Sequence, residues 1–311
     1  MTRNTATLAS VAAAALVIGI SLVSCAGGPD QRSGSALSNK TPTVAMIDPD
    51  DPAAVASLLD QLQDRQVVMV GEVHDRYDHH LNQLVVIRGL HERGVDVAVG
   101  MEYFQRPFQQ HLDDFVAGRI DEAELLERTE WADRWRFDPG LYREILSYAR
   151  ENAIPLVALN ASSETVRAVS QHGIAQLADD QRALFPRKIE LAEGPYRRQL
   201  ESVFAMHGNL PPERLQRFLE VQYVWDQTMA RSAADHLGEH PDRTLVILAG
   251  SGHLLQDHAM PQRLHRLYPA KQAVLVTDTG ALPPGATPDF VFAARDLPSA
   301  SAVRIAGARG G

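Results

Sequence analysis

The chain has 311 residues, and its 39 acidic and 30 basic side chains give a formal net charge of −9. This acidic balance, with the basic residues scattered along the chain, argues against a nucleic-acid partner. Cys25 is the single cysteine, which excludes disulfides within the chain and zinc sites built from several thiolates.

The first 25 residues are typical of a secretory signal. Arg3 supplies a short basic start, and an uncharged run of mostly small, apolar residues covers 6–23. Leu22 to Cys25 resemble a bacterial lipobox, which favours an acylated cysteine over an uncleaved membrane-spanning helix. Ala26 is not the aspartate that signals retention at the inner membrane. We therefore expect an exported lipoprotein anchored through Cys25 to the outer membrane, on its periplasmic face or at the cell surface.

Two polar segments flank the part of the chain that we expect to fold. Residues 26–45 are rich in Gly, Ser, Asp and Thr and predict a flexible tether. Residues 297–311 predict a disordered tail. Between them, residues 46–296 have a length that suits one large α/β domain or two small ones.

Within this region, short apolar runs alternate with helical patterns. The runs predict buried strands at 66–71, 95–101, 155–159, 244–249, 272–276 and 290–293. The helical patterns cover 78–93, 107–117, 121–128, 139–152, 162–172 and 260–267, with Asp78 as the predicted N-cap of the first helix. Residues 179–240 have helical patterns and no strand, which predicts a helical insertion or cap. We therefore predict an α/β fold with a mainly parallel sheet that is flanked by helices.

Polar side chains follow four of the predicted strands. Glu72 and His74 follow the first, Glu102 the second, Asn160 the third, and His253 the strand that ends at residue 249. Ligands of open parallel sheets bind beyond the carboxyl ends of the strands. Residues two apart in an extended backbone project to the same side, so Glu72 and His74 can face one ligand. We therefore predict one pocket that gathers Glu72, His74, Glu102 and His253.

The residue types in this pocket are those of a transition-metal site. Oxygen and imidazole ligands together suit Zn, Mn, Fe or Ni, so we predict Glu72, His74, Glu102 and His253 as metal ligands. In a hydrolase, Glu72 and Glu102 would be the catalytic residues, with one of them activating water. Each residue taken alone also has a purely structural interpretation. Glu72 could form a capping or sheet-end hydrogen bond, and His253 could bind backbone groups at the start of a helix.

Three further residues near the strand ends are candidate ligands. His79 and His80 open the first predicted helix, and adjacent helical histidines point in different directions, so we expect at most one in the pocket. Tyr103 could ligate ferric haem, as tyrosine does in some haem proteins, or it could pack in the core with a satisfied hydroxyl.

Two other segments are expected near the pocket. The aromatic residues of 131–137 either line an apolar pocket or pack the domain, and packing is the preferred interpretation. Gln222, Asp226 and Met229 share a mixed polar helical face, which is unusual for a buried helix and indicates a wall of the site. A Gly-x-Ser-x-Gly nucleophile elbow, a phosphate-binding loop, a dinucleotide fingerprint and a His-Glu-x-x-His motif are all absent from the sequence.

Several short motifs, in this order and spacing, resemble the ChaN-like haem-uptake lipoproteins over about residues 50–280. They are Gly71 to Asp75, Asp78 to His80, Glu102, the stretch 135–142 leading to Leu159 and Asn160, the helix 222–230, and Gly250 to His253. That family is related to the Tiki metalloproteases, the TraB-like proteins and the erythromycin esterases.

The resemblance implies haem binding and iron acquisition, with haem held between the protomers of a homodimer and a tyrosine as iron ligand. Tyr77, Tyr103 and Tyr223 are the candidates for that tyrosine. The residues expected to contact the cofactor are His74, His79, His80, Tyr103 and His253.

The relation to the Tiki proteins implies a second activity for the same cluster, metal-dependent peptide cleavage. Their two Gly-x-x-His motifs correspond here to Gly71 to His74 and to Gly250 to His253. Haem is thus the expected cofactor, and a divalent metal ion is the alternative.

Overall fold

The computed structural model describes residue 44 and residues 46–206 and 211–295. The signal predicted at 1–25 with its Cys25, the tail predicted at 297–311, and all of the tether predicted at 26–45 except residue 44 lie outside the described residues. None of the helices in the described ranges combines the length and the apolar character that are needed to cross a bilayer.

Seven strands form a single sheet in which every pairing is parallel. They are β1 (Met46–Ile47), β2 (Val67–Glu72), β3 (Val97–Gln105), β4 (Leu156–Asn160), β5 (Thr244–Gly250), β6 (Gln272–Thr277) and β7 (Phe290–Phe292). Their order across the sheet is β1-β7-β6-β2-β5-β3-β4. The predicted α/β fold with a parallel sheet flanked by helices is confirmed.

Eleven α-helices accompany the strands in the described residues. They are α1 (Pro52–Leu62), α2 (Tyr77–Glu92), α3 (Gln109–Val116), α4 (Glu122–Arg128), α5 (Trp131–Arg134), α6 (Arg143–Glu151), α7 (Ser163–His172), α8 (Asp179–Arg182), α9 (Gly194–Ala205), α10 (Pro212–Glu239) and α11 (Met260–Leu267). Short 3₁₀ turns occur at Arg106–Phe108, Pro139–Leu141, Ile174–Gln176 and Ser251–His253.

The central strands are buried on both faces, because successive side chains of a strand point to opposite sides. In β2, Val68 and Val70 join the core cluster that contains side chains of α1, α2 and α6. Val67 and Met69 join the cluster on the other face, with side chains of α10 and α11. Because both faces are buried, these strands appear in the sequence as continuous apolar runs without polar alternation.

The structure extends two of the predicted strands toward the site. β2 includes Glu72, and β3 continues to Gln105 with an irregular register against β4 between Met101 and Gln105. Such irregularities change the direction of side chains at strand ends, and the irregular stretch here includes Glu102.

One capping prediction was wrong, and helices α1 and α5 and strand β1 were not predicted. Arg76 is the N-cap residue of α2, and Asp78 lies in its first turn, where it accepts hydrogen bonds from the Arg76 guanidinium at 2.9 and 2.8 Å. Helix α1 was missed although Asp51 caps it through a hydrogen bond from the amide of Ala53. Strand β1 was also missed, because two residues are too short for a periodic signal.

The stretch 179–240 contains helices and no strand among its described residues. Its longest helix, α10, spans 28 residues, and its two halves pack against different parts of the molecule. The second half of α10 covers the sheet, where the Ser232 hydroxyl donates to the carbonyl of Leu159 at 2.8 Å. Phe218 and Val221, in its first half, pack with residues of α7 and α9 instead. The insertion is therefore continuous with the helical layer of the sheet.

Helices α1 and α2 approach each other closely at Gly89. A Cβ atom at this position would lie 2.9 Å from Leu59 Cδ2 and closer still to Cδ1. We expect Gly89→Ala to lower the free energy of unfolding by about 1–3 kcal/mol, the usual cost of overpacking a core. Urea titration of the purified domain measures this change.

Gly238, in α10, provides the matched control. Nothing lies within 4 Å of a Cβ built there. Gly238→Ala should therefore leave stability unchanged or raise it by up to about 1 kcal/mol, since alanine is the better helix former. Equal effects of the two substitutions would contradict the close packing of α1 on α2.

Candidate functional site

The floor of the site lies where three adjacent strands end. β5 is flanked by β2 and β3, and Glu72 is paired in register with Gly250. The amide of Gly250 donates a hydrogen bond of 2.7 Å to Glu102 Oε2. A Cβ atom at residue 250 would lie 3.0 Å from His74 Cε1, so only glycine lets the imidazole come this close. The parallel pairing thus brings Glu72, Glu102 and His74 together.

Glu72 and His74 form a buried acid–imidazole pair. His74 Nδ1 is hydrogen-bonded to Glu72 Oε1, and the two side chains are 11% and 0% exposed. Burial lowers the pKa of His74, but the charge and hydrogen bond of Glu72 outweigh it and raise the value to about 9. Burial raises the pKa of Glu72, and His74 reverses that shift so that the value is lowered overall.

The donor set fits a metal ion. One ligand atom from each of Glu72, His74 and Glu102 can be chosen so that all lie within 4.8 Å of one another. Glu72 Oε2 is buried and has no hydrogen-bond partner among the described residues. The imidazole nitrogen Nε2 of His80 lies 3.7 Å from it, beyond hydrogen-bond distance. A buried carboxylate oxygen without a partner is costly, and a cation would satisfy it.

His253 reaches the cluster from the turn after β5. Its Nε2 lies 3.5 Å from Glu102 Oε1, and its Nδ1 is hydrogen-bonded to Asp226 Oδ1 at 2.6 Å. Burial lowers the pKa of His253, but the charges of Glu102 and Asp226 outweigh it and raise the value. The four residues predicted to share a pocket therefore meet at one place.

The structure places His79 and His80 behind this floor and not on the cavity wall. His79 Nδ1 accepts a hydrogen bond of 3.0 Å from the amide of Val73. His80 is bonded through Nε2 to the carbonyl of His74 at 3.1 Å and through Nδ1 to Gln83 at 3.1 Å. Both imidazoles thus support the loop that carries His74.

The three candidate tyrosines occupy different surroundings. Tyr103 lines the cavity, but its hydroxyl is hydrogen-bonded to Gln83 at 3.3 and 3.4 Å. The hydroxyl of Tyr77 donates to Glu144 near the surface. Tyr223 is buried in the insertion, with the guanidinium of Arg263 4.6 Å from its ring centre.

A cavity of about 1180 Å³ opens above the floor. It exceeds the roughly 300–1,000 Å³ of typical small-molecule sites. Trp135 lines it and packs edge-on against the His74 ring, with 4.7 Å between the ring centres, and Phe137 lies 4.9 Å from the same ring. Trp131 belongs to the core cluster, so the aromatic segment serves both packing and the pocket.

The sequence analysis missed Tyr196 and gave Asp226 no partner. Asp226 was expected with Gln222 and Met229 on a wall of the site, but of these three only Gln222 lines the cavity. The hydroxyl of Tyr196 donates to Asp226 Oδ2 at 2.8 Å. A polar residue at an otherwise buried position of α10 was the available signal for Asp226; Tyr196 looks like any core aromatic.

These features define an α/β protein with a buried Glu/His cluster beyond the carboxyl edge of a parallel sheet. The chain belongs to the ChaN family of haem-binding uptake proteins in the Tiki superfamily, whose sequence model matches residues 58–264. The family membership predicted from the short motifs is confirmed.

Two solved structures are similar to this chain, and the first of them has the same fold. The structure of ChaN of Campylobacter jejuni with cofacial haem aligns with a TM-score of 0.61 and 19% identity, over 76% of this chain and 89% of that one. An erythromycin esterase in its open conformation aligns with a TM-score of 0.45 and 15% identity, over 76% and 80%.

A curated relative is the chloroplastic protein RETICULATA-RELATED 5 of Arabidopsis thaliana, 24% identical over 239 residues. The match covers 70% of this chain, which spans only 31% of that relative's length.

The environment of His79 predicts a loss of stability in acid. Burial lowers its pKa to about 4 from 6.5, so the unfolded chain takes up a proton below pH 6.5 while the folded one does not. The free energy of unfolding should therefore fall as the pH drops from 6.5 to about 4, by roughly 3 kcal/mol from this residue.

His79→Asn keeps an acceptor for the Val73 amide and cannot titrate, so its unfolding energy should fall less steeply over this range. Urea titrations at several pH values measure the difference from the parent. His265→Asn, at an exposed histidine of α11, is the control. Parallel profiles for the parent and His79→Asn would contradict a neutral buried His79.

Proposed function

We propose that the protein binds haem in the cavity, with His74 as an axial ligand of the iron. The observation that carries this proposal is the cavity floor: an imidazole bonded to a buried carboxylate, in a chain of the haem-binding uptake family. Because Nδ1 of His74 is bonded to Glu72, Nε2 is the atom left for the iron. A carboxylate partner makes such a ligand more basic and fixes its orientation.

The cavity walls support a large, partly apolar and acidic ligand. Trp135, Trp225 and Phe218 contribute aromatic surface for a porphyrin plane. Arg167 and Arg214 also line the cavity and form no ion pair with a described residue, so they are available to carboxylates such as the haem propionates.

The tyrosines favour a histidine ligand. The hydroxyls of Tyr103 and Tyr77 are already hydrogen-bonded to Gln83 and Glu144, and neither Tyr77 nor Tyr223 lines the cavity. Burial and the charge of Glu72 hold the pKa of Tyr103 well above 10, burial and Glu144 raise that of Tyr77 to about 12, and burial raises that of Tyr223.

Iron uptake and a homodimer belong to the same proposal. The family description names haem uptake, and the solved ChaN of Campylobacter jejuni binds haem cofacially. The same arrangement here would join two protomers through their haem groups. Anchoring of the chain to the outer membrane through acylated Cys25 would place it on the route of incoming iron.

The metal cluster supports a second candidate function, metal-dependent hydrolysis. Glu72, His74, Glu102 and His253 would hold a divalent ion, which lowers the pKa of a bound water to about 7. One of the two glutamates would activate that water. Peptides would be the substrates, as in the Tiki proteins.

The haem proposal is tested with haemin added to the domain that begins after residue 45. We expect a shifted Soret band for the parent and at least about tenfold weaker haemin binding for His74→Gly, equivalent to ~1.4 kcal/mol. Imidazole added to His74→Gly should restore the parental spectrum, because it replaces the lost ligand. His265→Gly, remote from the cavity, is the control, and sedimentation with haemin measures dimer formation.

Two results would redirect this assignment. A parental Soret band in His74→Gly that disappears in Tyr103→Phe would make tyrosine the ligand. Metal-dependent hydrolysis would be the correct function if the protein copurifies with Mn or Zn, cleaves peptides in a reaction that chelators abolish, and does not bind haemin.

The lipid anchor is tested with the full-length chain expressed in a Gram-negative host. We expect Cys25 at the mature N-terminus with acyl chains detected by mass spectrometry, and fractionation with the outer membrane. Cys25→Ser should abolish acylation and release the protein from the membrane, since it removes the acceptor thiol. An unprocessed N-terminus in the parent would contradict the signal assignment.

A further inference from the structure

We propose that Asp226 and Tyr196 are positioning residues that hold His253 through Nδ1, so that Nε2 is directed at the Glu72–His74–Glu102 group. Neither residue lines the cavity, so neither would touch a bound ligand. The inference deepens the proposed function because it concerns the same site, and it rests on that function only where ligand affinity is measured.

The three side chains form a continuous hydrogen-bonded chain. The Tyr196 hydroxyl lies 2.8 Å from Asp226 Oδ2, and Asp226 Oδ1 lies 2.6 Å from His253 Nδ1. His253 Nε2 then lies 3.5 Å from Glu102 Oε1. Tyr196, Asp226 and His253 are 1%, 0% and 6% exposed, so water does not compete for these bonds.

This chain determines which nitrogen of His253 carries the proton. Each oxygen of Asp226 has one partner, and a carboxylate accepts from both the tyrosine hydroxyl and an N–H. In the neutral imidazole that would bind a metal, the proton therefore resides on Nδ1 and Nε2 is the atom left for the ion. The raised pKa of His253 favours the protonated form when no ion is bound, and Nε2–H then faces Glu102. A histidine oriented by a carboxylate is the usual arrangement where imidazole serves as a metal ligand.

The packing supports a positioning role as well. The rings of His253 and Trp225 meet at 90° with 6.2 Å between their centres, so Trp225 packs edge-on against one side of the imidazole. Tyr196 belongs to α9, Asp226 to α10, and His253 follows β5. Two helices of the insertion thus contact the sheet edge at this histidine. The insertion contributes to the site through Tyr196 and Asp226, which hold His253 without lining the cavity.

The tautomer of His253 is the primary test. Ligand-free protein labelled with ¹⁵N-histidine gives long-range ¹H–¹⁵N spectra, recorded at a pH where His253 is neutral and assigned with His253→Gln. We expect the Nδ1–H tautomer in the parent and in Tyr196→Phe. In Asp226→Asn the new amide can donate to Nδ1, so the Nε2–H tautomer should appear.

Affinity for Zn²⁺ alone, measured by calorimetry, is the second readout. Asp226→Asn should weaken it roughly 10- to 100-fold, the usual effect of removing the partner of a metal-binding histidine. Tyr196→Phe should cause a smaller loss in the same direction. Tyr148→Phe is the matched control, because Tyr148 also bonds a histidine, His91 at 2.9 Å, but far from the cavity floor.

The possible outcomes separate this inference from the proposed function. An Nε2–H tautomer in the parent, or an unchanged tautomer in folded Asp226→Asn, would overturn the positioning role. Absence of haemin and Zn²⁺ binding in the parent would refute the proposed function, and the tautomers would still decide the inference. If Asp226→Asn fails to fold, the parental tautomer and the Zn²⁺ affinity of Tyr196→Phe decide it.

Discussion

The parallel register of three strands is the constraint on which the site depends. Because β2, β5 and β3 run in the same direction side by side, their carboxyl ends open at one edge. Gly250 then lies between the two glutamates, opposite Glu72 in register and bonded through its amide to Glu102. An antiparallel neighbour would send one of these residues to the far edge of the sheet. The acidic floor is thus a consequence of strand direction before any side chain is considered.

Acidic groups remain buried at this floor because each has an imidazole beside it. A buried charge without a partner costs several kcal/mol, and loss of one partner exposes that cost. Glu72 has His74, Glu102 has the amide of Gly250 and the nearby His253, and Asp226 bridges His253 and Tyr196. The partly unsatisfied Glu72 is the exception, and it is the place where a cation would complete the network. The same arrangement suits a haem iron on His74 or a hydrolytic metal, which differ in what fills the cavity above.

Much of the fold could be predicted because its signals are local. The apolar runs of β2 and β5 and the β-α alternation follow from burial on both faces. Glu72, His74, Glu102 and His253 could be proposed as one group because strand ends in a parallel sheet are neighbours in space. Strand β1 and the capping of α2 were less accessible. A strand of two residues has no periodicity. The sequence pattern also does not show that Arg76 is the N-cap of α2 and that its guanidinium binds the carboxylate of Asp78.

By itself, the sequence determined the alternation of strands and helices, the family, and the residue types that stand at the strand ends. Only the tertiary structure decided which of these side chains share a contact. In the folded chain, His79 and His80 are hydrogen-bonded to the loop that carries His74, and the hydroxyl of Tyr103 is hydrogen-bonded to Gln83. Tyr196 and Asp226, on two different helices of the insertion, are hydrogen-bonded to each other. The physical reason is that hydrogen bonds between residues distant in the chain depend on how the helices pack on the sheet and on the rotation of each helix about its own axis. Periodicity reports which face of an element is buried, and it does not report what that face meets.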